Sequence, residues 1–292
     1  MSPAVPARYC GRLFTTEEME LIARLIAGPK KTNRAQLSRL VCDELRWFRP
    51  DGRRKDMACR VAMLRMHRDG LIALPAPLKG NCNGRIRPKS TAACDPRAPL
   101  TIPAGGFGEL QLRIVDTQQE SAVWNELIQR YHYLGYKPLP GAQLRYLIFG
   151  GGHLLAALGF GASAWAVAPR DKFIGWTTPQ RKERLHLVIN NARFLVLPWV
   201  KSPNLASRIL GAVAKRVAGD WWEKYKYTPV LLETFVEKDR FRGTCYHAAN
   251  WMPVGQTQGR GKLDRHTRRP LPVKHIFLYP LAKDFRRQLC AP

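Results

Sequence analysis

The run from Tyr146 to Ala168, YLIFGGGHLLAALGFGASAWAVA, constrains this chain more than any other segment, because His153 is its only strongly polar residue. A membrane-spanning helix needs about 20 apolar residues, so length alone would admit one. Three successive glycines, Gly150 to Gly152, argue otherwise, and Gly159 and Gly161 follow. Glycine weakens a helix interior but suits a tight turn between antiparallel strands. The segment therefore predicts two buried strands, LRYLIF and HLLAALGF, joined by a glycine turn, and no membrane partner is expected.

A chain of 292 residues with 45% hydrophobic residues and eight Trp can bury a real core. Lys and Arg outnumber Asp and Glu by 48 to 22, a formal net charge of +26. Such an excess fits nucleic acid, whose phosphates reward Lys and Arg by counterion release; it also fits a membrane surface, an acidic protein or plain solubility. The seven cysteines, at 10, 42, 59, 82, 94, 245 and 290, form no CxxC pair, so a disulfide framework or structural zinc site is not expected. The start MSPAVPARYC lacks the apolar stretch of a signal peptide. A reducing cytoplasm is the expected setting.

Three regions follow from the pattern. Residues 10–76 read as a helix-turn-helix-like DNA-binding domain, with a basic three-helix bundle that binds no DNA as the alternative. Thr15 or Thr16 caps a first helix, and Thr32 or Asn33 caps a second. A third helix near Lys55 to Arg68 is expected to point Met57, Val61 and Leu64 inward and to display basic residues, and LIALPAP reads as a strand after it. The basic candidates for DNA contact here are Arg53, Arg54, Lys55 and Arg60. Residues 77–106 have the Pro/Gly-rich composition of a linker, with Arg85, Arg87 and Lys89 placed to follow a phosphate backbone. Residues 107–292 read as a mixed-sheet α/β domain. Thr117 and Glu120 form a capping box, RFLVLPWV and LLETFV are buried strands around a long helix, and WMPVG and HIFLYPL close the sheet.

Candidate chemistry clusters between Glu233 and Lys262. Glu233 interrupts the apolar strand VLLETFV, and a buried carboxylate is costly unless paired. Either it neutralises an arginine such as Arg193, or it is a catalytic base or metal ligand. Tyr246, on a short helix after that strand, is a candidate nucleophile for a phosphodiester, or a packed phenol whose hydroxyl finds a partner. His132, at the end of a helix, is a candidate acid/base, with no second His in an HxH pattern. Asp171 with Glu233 would supply two carboxylates for Mg²⁺ or Mn²⁺ if the fold joins them; a local Arg170–Asp171 pair is the plainer reading. The segment GQTQGRGK fails as a P-loop and reads as a basic turn, with Arg260, Lys262, Arg265, Arg268 and Arg269 on phosphates. Trp176, Trp251 and Tyr246 are candidates for stacking on unpaired bases, with Asn250 beside them.

A series of motifs in order, YHYLGY, LRYLI, AALGFGASAW, RDKFIGW, NNARFLVLPWV, PNLAS, LLETFV, FRGTCYHAANW and VGQTQGRG, resembles the DruA family of the Druantia anti-phage defence system and its mobile-element relatives. That resemblance implies a DNA-directed role in defence or on a mobile element, with other defence-system subunits as partners and oligomers admitted. The order of elements in the third region is also similar to the GNAT acetyltransferases. Their central strand is followed by a glycine-rich loop that holds the pyrophosphate of coenzyme A. Here the loop reads KSPNLAS, without glycine and with Pro203, so coenzyme A is not expected. Three functional classes stay open: a metal-assisted DNA nickase, nuclease or strand-transfer enzyme, which the density of polar groups around Glu233 favours; a non-catalytic DNA-recognition subunit; and an acyltransferase.

Overall fold

The computed structural model describes residues 7–28, 32–78, 88–259 and 271–291. Contacts divide the chain into two compact units, Met1–Asn83 and Gly84–Pro292.

In the first unit a small antiparallel hairpin, β1 (Ala7–Tyr9) and β2 (Arg12–Phe14), precedes α1 (Thr16–Ala27), α2 (Arg34–Glu44) and α3 (Asp56–Arg68). Capping boxes at Thr15/Glu18 and Asn33/Gln36 satisfy the first amides of α1 and α2. The core joins Phe14, Ile22, Leu37, Val41, Trp47, Met63 and Met66. The inward face of α3 differs from the expected one. Cys59, Ala62, Met63 and Met66 are buried, whereas Met57 and Val61 are exposed. Small Cys59 and Ala62 let α3 approach its neighbours closely, and hydropathy alone does not weigh that. LIALPAP forms no strand.

The second unit is built on a seven-stranded sheet. Its elements are β3 (Gln111–Ile114), α4 (Gln118–Tyr131), β4 (Gln143–Gly150), β5 (His153–Ala162), α5 (Ala168–Ile174), α6 (Thr178–Arg184), β6 (Val188–Val196), α7 (Leu205–Tyr225), β7 (Leu231–Glu237), α8 (Thr244–Ala248), β8 (Met252–Gln256), β9 (Lys274–Pro280) and α9 (Phe285–Leu289). The strand order is β3-β4-β5-β6-β7-β9-β8. This is a mixed α/β domain of GNAT-like topology: antiparallel strands up to β6, a long crossover helix, a parallel β7, then a short helix and two closing strands.

The glycine-broken apolar run is the β4–β5 hairpin, with Gly150 opposite His153. Gly151 and Gly152, at φ 55 and 77, make the turn in a conformation that side chains resist. Gly159 gives room to Trp124, whose ring would lie 2.8 Å from a Cβ there. Adjacent residues of β4 face opposite helices: the Arg145 guanidinium lies over Trp124 of α4, and the Tyr146 hydroxyl donates to Asp220 of α7 at 2.9 Å. Among the described residues no helix is long and apolar enough to cross a membrane.

The parallel pair β6/β7 is short. It joins Val188 to Leu231, Ile189 to Leu232 and Asn190 to Glu233, and the strands then part, β6 staying with β5 and β7 with β9. This splay opens the middle of the sheet.

Residues 88–106, read as linker, are built into this unit. The Thr91 amide and hydroxyl both donate to Glu126 of α4 at 2.7 Å, and Arg130 bridges Glu126 and Asp95. Cys94 and Phe107 belong to the core, and Leu100 pairs with Val200. A Pro/Gly-rich composition signals a lack of regular elements, not a lack of packing.

Candidate nucleic-acid interface

Glu233 is the last residue of β7 paired with β6 and is fully buried. Its Oε2 accepts from Arg170 Nη1 at 2.8 Å, and its Oε1 accepts from the Ala164 amide at 2.8 Å. Burial pushes its pKa up, against the pull of the Arg170 guanidinium and the Ala164 amide. Arg170, also fully buried, gives its Nε and Nη2 to Asp171 Oδ1 and a second Nη1 bond to the Ala164 carbonyl. Asp171 Oδ1 also accepts from Trp176 Nε1, and Oδ2 accepts from the Val167 amide and Arg181. The fold thus brings Glu233 and Asp171 together, but onto one guanidinium.

Each carboxylate oxygen of this pair already takes a donor. A divalent cation would have to displace Arg170, so the pair does not fit a metal, and among the described residues no group of three His, Cys, Asp or Glu could hold one. Neutralisation of Glu233 by an arginine was the right alternative, with Arg170 in place of Arg193.

Tyr246 is buried. Its hydroxyl donates to Asn191 Oδ1 at 2.9 Å, Thr234 donates to it at 3.4 Å, and Phe277 stacks on its ring. Burial pushes its pKa up, which disfavours the phenolate an attacking tyrosine needs. It is a packed phenol joining α8 to β6 and β7. His132 caps the end of α4, and its Nδ1 accepts the Leu134 amide at 3.2 Å. Desolvation, with Arg193 and Lys274 nearby, lowers its pKa to about 4, so it stays neutral.

The head of α7 is where a GNAT-type pyrophosphate would sit. Pro203 offers no amide, and Asn204 begins the helix without a side-chain cap. Arg208 is turned to the carbonyls of Ala104 and Gly108. This donor set does not fit a pyrophosphate.

The nucleic-acid candidates divide sharply. Trp176 and Trp251 are buried core residues, 8% and 2% exposed, so neither can stack on a base. Trp176 follows the left-handed turn at Gly175, which returns the chain to Asp171. Asn250 is exposed and takes the left-handed conformation that ends α8, which explains an Asn there by backbone alone. Among the described residues, the large exposed aromatic side chains of this unit are Tyr133, Trp165, Trp222 and Phe241. Sequence reasoning missed them, although the pair Trp221/Trp222 on a helix guarantees that the two rings face differently.

In the first unit Arg53 and Arg54 are exposed and Lys55 and Arg60 half-buried, around the start of α3. Arg54 pairs with Asp43 and Arg60 with Asp56. A notch of ≈ 640 Å³ opens here, lined by Arg39, Phe48, Arg49, Gly52, Arg53, Arg54 and Asp56. Neither Arg39 nor Arg49 pairs with a carboxylate among the described residues. Along α3, Met57, Val61, Arg65 and Arg68 are exposed at spacings of four, four and three, which is one helix face. Lys89 is exposed in the second unit. Arg85, Arg87, Arg260, Lys262, Arg265, Arg268 and Arg269 lie outside the described residues.

Among the described residues, then, the first unit carries a basic helix, and the second holds Glu233 and Asp171 on one arginine. The family model described as Druantia protein DruA matches residues 65–269, and the chain belongs to that family. No curated protein matches the chain. Among solved structures, aminoglycoside acetyltransferase AAC(6')-Ib in complex with coenzyme A is 13% identical over 62% of this chain and 96% of that chain, with a TM-score of 0.38. FeeM, an N-acyl amino acid synthase from uncultured soil microbes, is 13% identical over 63% and 95%, with a TM-score of 0.37. An N-acetyltransferase from Staphylococcus aureus is 12% identical over 60% and 100%, with a TM-score of 0.36. These likenesses concern the course of the backbone and carry no chemistry to the residues of this chain.

Proposed function

We propose that this chain is a cytoplasmic DNA-recognition protein of phage defence, acting beside other subunits, and that α3 reads duplex DNA. The observation that carries this reading is the exposed face Met57–Val61–Arg65–Arg68, with the arginine-lined notch at its head. Two apolar side chains left in water on a basic helix are unfavourable in isolation. They suit thymine methyl groups in a major groove, with Arg65 and Arg68 reaching guanine edges or phosphates. Arg39, Arg49, Arg53 and Lys55 suit the flanking phosphates. The net charge of +26 supplies the sequence-independent part of the affinity.

A metal-assisted nickase at Glu233 and Asp171 finds less support, because Arg170 occupies the space between them. The acyltransferase reading is weakened by the head of α7. Duplex binding by the full chain, followed by fluorescence anisotropy at modest salt, tests the recognition reading. Arg65→Ala together with Arg68→Ala should weaken it by about tenfold or more. Unchanged affinity would remove α3 from recognition.

A further inference from the structure

We propose that the open end of the β6/β7 splay binds one unpaired nucleotide of a DNA strand, with Phe241 under the base and Arg193 on the phosphate. The proposal extends the DNA-recognition reading to the second unit and rests on it for the choice of polymer.

Beyond Asn190 and Glu233 the two strands no longer pair, and Arg193 lies past that point on β6, opposite Gly159 of β5. The Arg193 guanidinium is half-buried. Its Nη1 donates to the Ala192 carbonyl at 2.7 Å, and its Nε is buried without a partner. No carboxylate among the described residues forms an ion pair with it. Desolvation lowers its pKa, the mark of a cation short of compensation. Such a charge is costly unless an anion completes it.

The neighbours of Arg193 are rings and donors. Because His132 Nδ1 accepts the Leu134 amide, the neutral ring carries its proton on Nε2, a donor without charge. His132 stacks on Tyr133 at 4.9 Å, and Tyr133 meets Phe241 at 5.3 Å. Arg240 lies 5.4 Å from the Tyr133 centroid and is bound to Glu237 through Nε. Tyr133, 37% exposed, is thus flanked on both sides, and Phe241, 48% exposed, is the more open of the two rings. Tyr133 links the two groups, because it meets Phe241 and feels the charge of Arg193, and an exposed ring near an uncompensated guanidinium is what holds a base and its phosphate in single-strand sites.

The surrounding charge favours a strand over a free nucleotide. Lys238 and Arg242 are exposed on either side of Arg240 and Phe241, and Lys274 acts on His132, which extends the positive charge beyond one phosphate. Of the local carboxylates, Glu237 is taken by Arg240, and Asp239 lies exposed on the turn.

The test uses the full chain and a short single-stranded oligodeoxynucleotide carrying 2-aminopurine, beside a duplex of the same sequence and beside free ADP and coenzyme A. Binding should quench the 2-aminopurine. Phe241→Ala and Arg193→Gln should each weaken single-strand binding by about tenfold and abolish the quench, Phe241→Trp should restore both, and duplex binding should stay within about twofold. Four results would overturn the proposal: no single-strand binding at low salt, wild-type binding and quenching by Phe241→Ala, an equal loss on both forms of DNA, or ADP or coenzyme A binding as tightly as the strand. If the Arg65/Arg68 variant leaves duplex affinity intact while the Phe241 dependence persists, only the α3 reading falls.

Discussion

Glu233 and Glu237 leave β7 on the same face four residues apart, yet they belong to opposite kinds of polar site. Around Glu233 the site is closed at its centre: Glu233 and Arg170 are fully buried, and every carboxylate oxygen of Glu233 and Asp171 takes a donor, although Asp171 and Arg181 keep some contact with water and Arg181 Nε has no partner. Around Glu237 the site is open: Arg193 has a donor without an acceptor, His132 is held neutral, and Phe241 is exposed. A dense set of polar residues is therefore a poor guide to chemistry until its hydrogen bonds are followed. The closed set holds α5 to the sheet, and the open set has binding capacity to spare.

The sharpest way to break this contrast is to remove the central cation of each site. Arg170→Met leaves Glu233 buried and Asp171 short of a partner, and should cost about 3–5 kcal/mol of stability in urea denaturation. Glu233→Gln keeps a hydrogen-bonding group of the same shape and should cost less, about 1–3 kcal/mol. Arg193→Met, on the open side, removes a charge with no ion pair and should leave stability nearly unchanged. A large loss at Arg193 together with a small one at Arg170 would reverse the assignment of closed and open.

A smaller effect separates the sites by pH. The pKa of His132 falls from 6.5 to about 4 on folding. Between those values the unfolded chain binds the proton that the folded chain refuses. The contribution of His132 is therefore complete above pH 6.5 and is lost as pH falls toward 4. Protonation would also place a third cation beside Arg193 and Lys274. Thermal melts of His132→Asn, which keeps an acceptor for the Leu134 amide, should show a shallower decline over that window than the wild type. Parallel curves would mean that His132 is solvated in the folded state.

Much of the architecture was legible in the sequence because it rests on local chemistry. Gly150 to Gly152 dictated the hairpin, and Thr15, Asn33 and Thr117 marked helix starts through capping. A carboxylate inside VLLETFV announced a buried partner. Which arginine answered it was not legible, because Arg170 is 63 residues away and comes from a short helix that sequence periodicity did not reveal. The inward face of α3 was misread because it carries two stripes with apolar character. Close packing selected Cys59, Ala62, Met63 and Met66 over the more conspicuous Met57 and Val61. The stacking candidates failed for a related reason. A tryptophan near basic residues looks available, but Trp176 and Trp251 fill the core while Phe241, within the motif FRGTCYHAANW, stays outside.

On the proposed reading, the excess positive charge is used on DNA phosphates. The most direct measurement is the affinity of the full chain for duplex DNA across a salt series. A log–log slope steeper than about −3, corresponding to several displaced counterions, is the predicted result. No binding at modest salt, or an affinity indifferent to salt, would contradict it.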